Sequence, residues 1–100
     1  MALDGLKFEW DRRKGAANRR KHGVSFEEAR TAVFDENARF MADPDHSDEE
    51  DRFVLLGLSS KLRLLVVYHC YRERPETIRI SPARKADRSE RHEYEGFRNA

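Results

Sequence analysis

The chain has a single cysteine, Cys70, so no internal disulfide can staple it. No apolar run approaches the roughly 18 residues needed to span a bilayer. The N-terminus, Met1-Ala2-Leu3-Asp4-Gly5, lacks a basic stretch followed by an apolar one, so nothing in it directs secretion. These absences make the cytoplasm the expected compartment. A dominant charge is missing too: 20 Lys/Arg against 19 Asp/Glu leave a net charge of +1. Taken alone, that average argues against a polyanion as partner. There are no internal repeats and no low-complexity segments. The 100 residues therefore read as one domain, 1–100, with room for one core.

What is present is unevenly spread. Residues 1–34 carry eight Lys/Arg and five Asp/Glu, residues 35–53 two and eight, and residues 54–100 ten and six. The corresponding charges are +3, −6 and +4, so two basic flanks enclose a short acidic middle. A phosphate-binding face can exist that the average conceals. Apolar residues make up 38% and charged ones 39%, which is also what a small domain with a mixed charged surface shows.

The pattern Leu6-Lys7-Phe8-Glu9-Trp10 alternates as a short half-buried strand does. Asp11 is placed to N-cap a helix over residues 12–22. Lys21 and His22 suit its carbonyl end, and Gly23 can take the left-handed conformation that closes it. Ser25 followed by Glu28 has capping-box spacing, with Val24 and Ala29 at the staple positions, so a second helix opens at once over residues 26 to about 34. Residues 38–42 read as a weak strand and 43–50 as an acidic loop. Residues 51–58 and 62–71 read as two strands joined by a link of hairpin length. The second is apolar almost throughout, which predicts a central strand covered on both faces. A strand over 77 to about 81 follows. Asp87 and Glu90 then open a last helix to about residue 97, anchored by Tyr94 and Phe97. The expected class is α+β: a small antiparallel meander with two N-terminal helices on one face and a C-terminal helix.

Several catalytic patterns fail on geometry. His92-Glu93 begins like a zinc-protease motif, but Gly96 stands where the second histidine belongs. Asp43, Asp45 and Ser47 begin like a calcium loop, but Asp48 replaces the turn glycine and Val54 the final glutamate. His69 and Cys70, adjacent on a strand, point to opposite faces and form no dyad. Cys70 reads as core, and no metal or other cofactor is expected. Arginine on the sheet remains. Arg63, Arg79 and Arg84, with Lys85 and Arg72, fall on or beside adjacent strands near Tyr68 and His69. Guanidinium groups bind phosphate in a bidentate way and stay charged at physiological pH. The same arginines can equally pair with Glu73, Glu76 and Glu90 as ordinary surface salt bridges.

The motifs Phe8-Glu9-Trp10-Asp11, Asn18, Lys21-His22-Gly23-Val24-Ser25-Phe26-Glu27-Glu28-Ala29 and Val33-Phe34-Asp35 occur in order. Asp43-Pro44-Asp45-His46-Ser47, Glu50, Arg52, Gly57, Ile78-Arg79-Ile80, Ala83-Arg84-Lys85-Ala86, Glu90-Arg91 and Tyr94 follow. In this order and spacing the chain resembles the BrnT family of toxin ribonucleases. One departure is Ile80-Ser81-Pro82-Ala83-Arg84, where the family usually reads Ile-Ile-Ser-Ala-Arg. Pro82 removes a backbone donor, so the strand must end or lie at an edge there.

The resemblance implies a RelE-like fold and a type II toxin–antitoxin pair. In such a pair a BrnA-type antitoxin silences the toxin and represses the operon through its own DNA-binding domain; a heterotetramer is the implied assembly. It also implies metal-independent endoribonuclease action, inhibiting translation and growth. On that basis Arg79 and Arg84 are expected to stabilise the phosphorane, with His46 as the acid–base group. Arg63, Lys85, Lys21 and Arg72 are expected to hold flanking phosphates. The alternative reading is a non-catalytic protein-binding module or co-repressor subunit.

Overall fold

The computed structural model of the chain describes residues 6–42, 52–71 and 76–98. In chain order the elements are β1 (Lys7–Glu9), α1 (Arg12–His22), α2 (Phe26–Ala32), β2 (Arg39–Ala42), β3 (Arg52–Leu58), β4 (Leu64–Tyr71), β5 (Thr77–Lys85) and α3 (Arg88–Arg98). The five strands form one sheet in the order β1-β5-β4-β3-β2. The meander β2 to β5 is antiparallel throughout, as expected. β1 is the exception: it lies parallel to β5, with Phe8 opposite Ile78, which makes the sheet mixed. β4 takes the central place that its apolar run predicts.

The capping residues set the helix ends. The Asp11 carboxylate accepts from Arg13 N at 2.8 Å and Lys14 N at 3.1 Å. Gly23 closes α1 at φ 71°, its N–H donating to Arg19 O. Ser25 Oγ accepts from Glu28 N at 3.0 Å. Only that half of the expected capping box forms, because the Glu28 side chain turns inward to Arg63 instead. At α3 the box is complete: Glu90 N donates to Asp87 Oδ1 and Asp87 N to Glu90 Oε1, both at 2.8 Å.

The two faces of the sheet bury different cores. On one, α1 and α2 cover Leu55, Leu65, Val67, Ile78, Ile80 and Ala83 with Val24, Phe26, Ala29 and Ala32. On the other, Tyr94 of α3 packs on Leu56, Leu64 and Val66. The Phe97 side chain, the other expected anchor, lies outside the described residues. α2 approaches β3 so closely that a Cβ on Gly57 would stand 2.7 Å from Ala32 O, which leaves glycine as the fitting residue. Asp35 joins the layers, its Oδ2 accepting from Leu58 N at 2.8 Å and Tyr94 Oη at 2.6 Å.

β5 runs longer than its expected end near residue 81. Ile80 pairs with His69 and Ala83 with Val67, so Ser81 and Pro82 together oppose Tyr68 as a bulge. β1 partners only residues 77–79, so Pro82 sits on an open edge, where its missing N–H breaks no ladder. The edge is closed locally by a side chain. Asn18 Nδ2 donates to Ala83 O at 2.8 Å and Ala83 N donates to Asn18 Oδ1 at 3.1 Å. The carboxamide of α1 thus stands in for one residue of a neighbouring strand. Among the described residues, no helix is long and apolar enough to cross a membrane.

Candidate functional site

The bulge restores the alternation of β5, so Arg79 and Arg84 share the face that carries α3. Arg79 stands opposite Cys70, and Arg84 opposite Val66. Across the sheet, Arg52, Cys70, Arg79 and Glu9 are successive register partners and make one row on that face. Tyr68, half-buried and facing the bulge, lies between that row and Arg84.

Arg63, Arg79 and Arg84 each have a carboxylate partner. Arg79 Nη1 donates to Glu9 Oε2 at 3.0 Å. Arg84 grips Glu90 with two bonds of 2.8 Å. Glu90 and, secondarily, Tyr68 push the Arg84 guanidinium further toward its charged form. The same pairing holds the Glu90 carboxyl below its ordinary range. About a third of each arginine side chain remains open to solvent, 33% for Arg79 and 34% for Arg84. Glu90 is therefore both cap and clamp: it starts α3 and fixes the plane of Arg84.

The expected convergence of three guanidinium groups does not occur. Arg63 turns to the helical layer, where Nε donates to Glu28 Oε2 at 2.8 Å and Nη2 to Gly23 O at 2.9 Å. Nη2 also pairs with Glu28 Oε1. Glu28 is only 4% exposed, and Ser59 Oγ donates to it at 2.7 Å. A carboxylate so enclosed needs a cation, and that need decides where Arg63 goes. Lys85 also parts from Arg84. It opposes Leu65, a residue of the helix-covered core, so it projects from the other face. His46 and Arg72 lie outside the described residues.

Lys21 and Arg79 do share one cavity. A cavity of about 420 Å³ lies between α1 and the β5 edge, lined by Lys14, Lys21, His22, Arg52, Arg79 and Pro82 among others. Asp11 is the one carboxylate in its wall. Arg52 stands among the motif residues and Lys14 in the basic helix, but neither carries a site role in the sequence reading. The register placing Arg52 across Cys70 from Arg79 is a long-range fact with no local signal. Among the described residues, no three His, Cys, Asp or Glu side chains gather as a metal-binding group.

The family model described as "Ribonuclease toxin, BrnT, of type II toxin-antitoxin system" matches residues 10–90. The chain belongs to the BrnT family. BrnT chains are ribonuclease toxins of type II toxin–antitoxin systems, so an antitoxin is this chain's partner. Among solved structures, the Brucella abortus ribonuclease toxin BrnT matches with a TM-score of 0.63 and 20% identity, over 83% of this chain and 99% of that one. At that identity the likeness speaks for the BrnT fold alone. No curated protein matches the chain.

Proposed function

We propose that this BrnT chain is a metal-independent endoribonuclease that cuts RNA by attack of a ribose 2′-hydroxyl on the adjacent phosphorus. The attack forms a 2′,3′-cyclic phosphate and expels the 5′-oxygen. The hydroxyl proton leaves to a base, and the departing oxygen takes one from an acid. The negative charge that builds on the phosphorane oxygens needs fixed donors already in place. The observation that carries the reading is the placement of Arg79 and Arg84 on one sheet face, each partly open and each oriented by a carboxylate. Arg79 also opens into the cationic cavity beside α1, which suits a strand that must pass from a binding groove to a reactive site. His46 is the acid–base candidate, because imidazole is the side chain whose reference pKa lies nearest neutrality. Lys21 contacts a flanking phosphate. A BrnA-type antitoxin neutralises the toxin, and the two assemble as a heterotetramer.

Expression of the chain in bacteria tests this. Growth arrest is expected, with rescue by the small open reading frame beside its gene. Harmless accumulation would favour a non-catalytic module. Arg84→Ala is expected to abolish arrest, as is Arg79→Ala, which leaves the α3 clamp intact. Circular dichroism verifies that both variants fold. Purified protein incubated with RNA and EDTA should leave 2′,3′-cyclic or 3′-phosphate ends. Full toxicity in both arginine variants would remove the site.

A further inference from the structure

Helix α1 carries Arg12, Arg13, Lys14, Arg19, Arg20 and Lys21, six cations in 11 residues, with no acidic residue. All six are exposed. Among the described residues none of them forms a salt bridge, whereas Arg39, Arg63, Arg79 and Arg84 pair with Glu93, Glu28, Glu9 and Glu90. Arg12, Arg13 and Lys14 stand in the first turn, where the helix dipole disfavours positive charge, and Arg19, Arg20 and Lys21 in the last turn, where it favours it. The first-turn placement works against the helix itself, so Arg12, Arg13 and Lys14 point to a requirement outside the fold.

The shape beside the helix narrows that requirement. Arg12, Arg19 and Arg20 line a second cleft, of about 530 Å³, together with Trp10, Gly15, Ala16, Ser25 and Glu27. Gly15 and Ala16 form a low floor, and Trp10 is held edge-on against Phe26 with ring centroids 6.2 Å apart. Arg12 and Arg19 are seven residues apart, so their backbones are about 10 Å apart along the axis. Arginines at such a spacing beside a half-buried indole match what single-stranded nucleic acid uses: cations for the backbone and a ring for a base. A protein partner would need apolar anchors at the centre of its footprint. The exposed face of α1 offers only charged residues and alanine or glycine.

We infer that α1 is the surface along which the phosphate backbone of single-stranded RNA lies, with Arg12, Arg19 and Arg20 seating phosphates in the cleft beside Trp10. The inference rests on the ribonuclease reading for its choice of RNA over other polyanions. It places substrate binding on a helix whose cations are unpaired and leaves the carboxylate-bound sheet arginines to the chemistry.

The test measures binding of the full chain to an uncleavable single-stranded 2′-O-methyl RNA across a range of salt concentrations. The comparison variant carries Arg12→Gln, Arg19→Gln and Arg20→Gln, all at exposed positions. The variant should bind more weakly by about tenfold or more at low salt. Its slope of log K against log salt should be shallower by about 2, at roughly 0.7 per lost contact on a single strand. Trp10→Ala should weaken binding without changing that slope. Two results would overturn the inference. One is a triple variant with the wild-type affinity and slope; the other is poly-glutamate binding α1 as tightly as the RNA does. A chain that binds this RNA but cuts no RNA at all would leave the surface assigned and refute the proposed function instead.

Discussion

His69 is the most tightly enclosed ionisable side chain on the helix-covered face, 1% exposed among Phe40, Phe53 and Tyr71. Its Nδ1 lies 3.2 Å from Val67 O, which fits an Nδ1–H donor. Nε2 then faces aromatic rings with no hydrogen-bond partner among the described residues. Burial pulls this imidazole below its ordinary pKa of 6.5. Below pH 6.5 the unfolded chain therefore binds more protons than the native one, and stability falls as the pH drops. His69→Phe should flatten the urea midpoint between pH 7 and 5.5. It should also add about 1 kcal/mol at neutral pH by removing an unsatisfied acceptor. An unchanged pH profile would show that His69 titrates without resistance. Glu28 obeys the same sign in a lower window. The Arg63 hydrogen bonds hold its carboxyl below the ordinary 4.5, so its contribution is complete above that pH and fades as pH falls through the lowered value. Arg63→Ala strands a buried carboxylate and should cost about 3 kcal/mol at pH 7. It should also move the acid-unfolding midpoint upward, and acid titration followed by tryptophan fluorescence reads both variants. A loss of RNA binding with no loss of stability would return Arg63 to the site that the sequence suggests for it.

At the scale of elements, the junction between α1 and β5 depends on one side chain. Asn18 is 7% exposed and makes three hydrogen bonds, two to Ala83 and one of 2.9 Å from Nδ2 to Val24 O. Asn18→Ala leaves those backbone groups buried and unpaired, so a loss of about 3 kcal/mol is expected in urea unfolding. Because Asn18 also positions the cleft between α1 and Pro82, Arg79-dependent activity should fall as well. All three helix starts and the α1 stop were legible, since caps are local chemistry that Asp11, Gly23, Ser25 and Asp87 announce by type and spacing. The central place of β4 was legible because a strand covered twice has no polar alternation to show. Three features were not. The parallel pairing of β1 joins residues seventy positions apart, and three residues of alternation cannot name a partner. The bulge at Ser81 and Pro82 moves Arg84 back onto the Arg79 face, a correction that simple counting along β5 misses. Glu28 had sequence spacing for a capping box, yet the burial of its carboxylate recruited Arg63 from β4's entrance. That recruitment separates Arg63 from the other two sheet arginines.

For the molecule as a whole, a net charge of +1 conceals a helix that repels itself. Six exposed cations on 11 residues lie within one another's Debye length at low ionic strength. No two of the six stand three or four positions apart; the cost on α1 comes from Arg12, Arg13 and Lys14 opposing the helix dipole, roughly 0.3–1 kcal/mol each at low ionic strength. The exposed ion pairs elsewhere offset little of this, because pairs such as Arg39 with Glu93, 3.5 Å apart at the surface, contribute weakly and are screened together with the repulsion. Added salt should therefore stabilise the chain between about 20 and 200 mM, opposite to what a fold held by surface ion pairs would do. Substituting Arg12, Arg13 and Lys14 of the first turn by glutamine should remove most of that rise and make the variant the more stable protein at low salt. Thermal unfolding in sodium chloride measures this without any RNA present. A wild-type midpoint that falls with salt would mean the surface pairs outweigh α1. If the midpoint rises and the rise is lost in the variant, the basic helix is being kept at a cost in folding stability. RNA bound along α1 would then stabilise the fold in two ways: by neutralising that repulsion and by mass action on the native state.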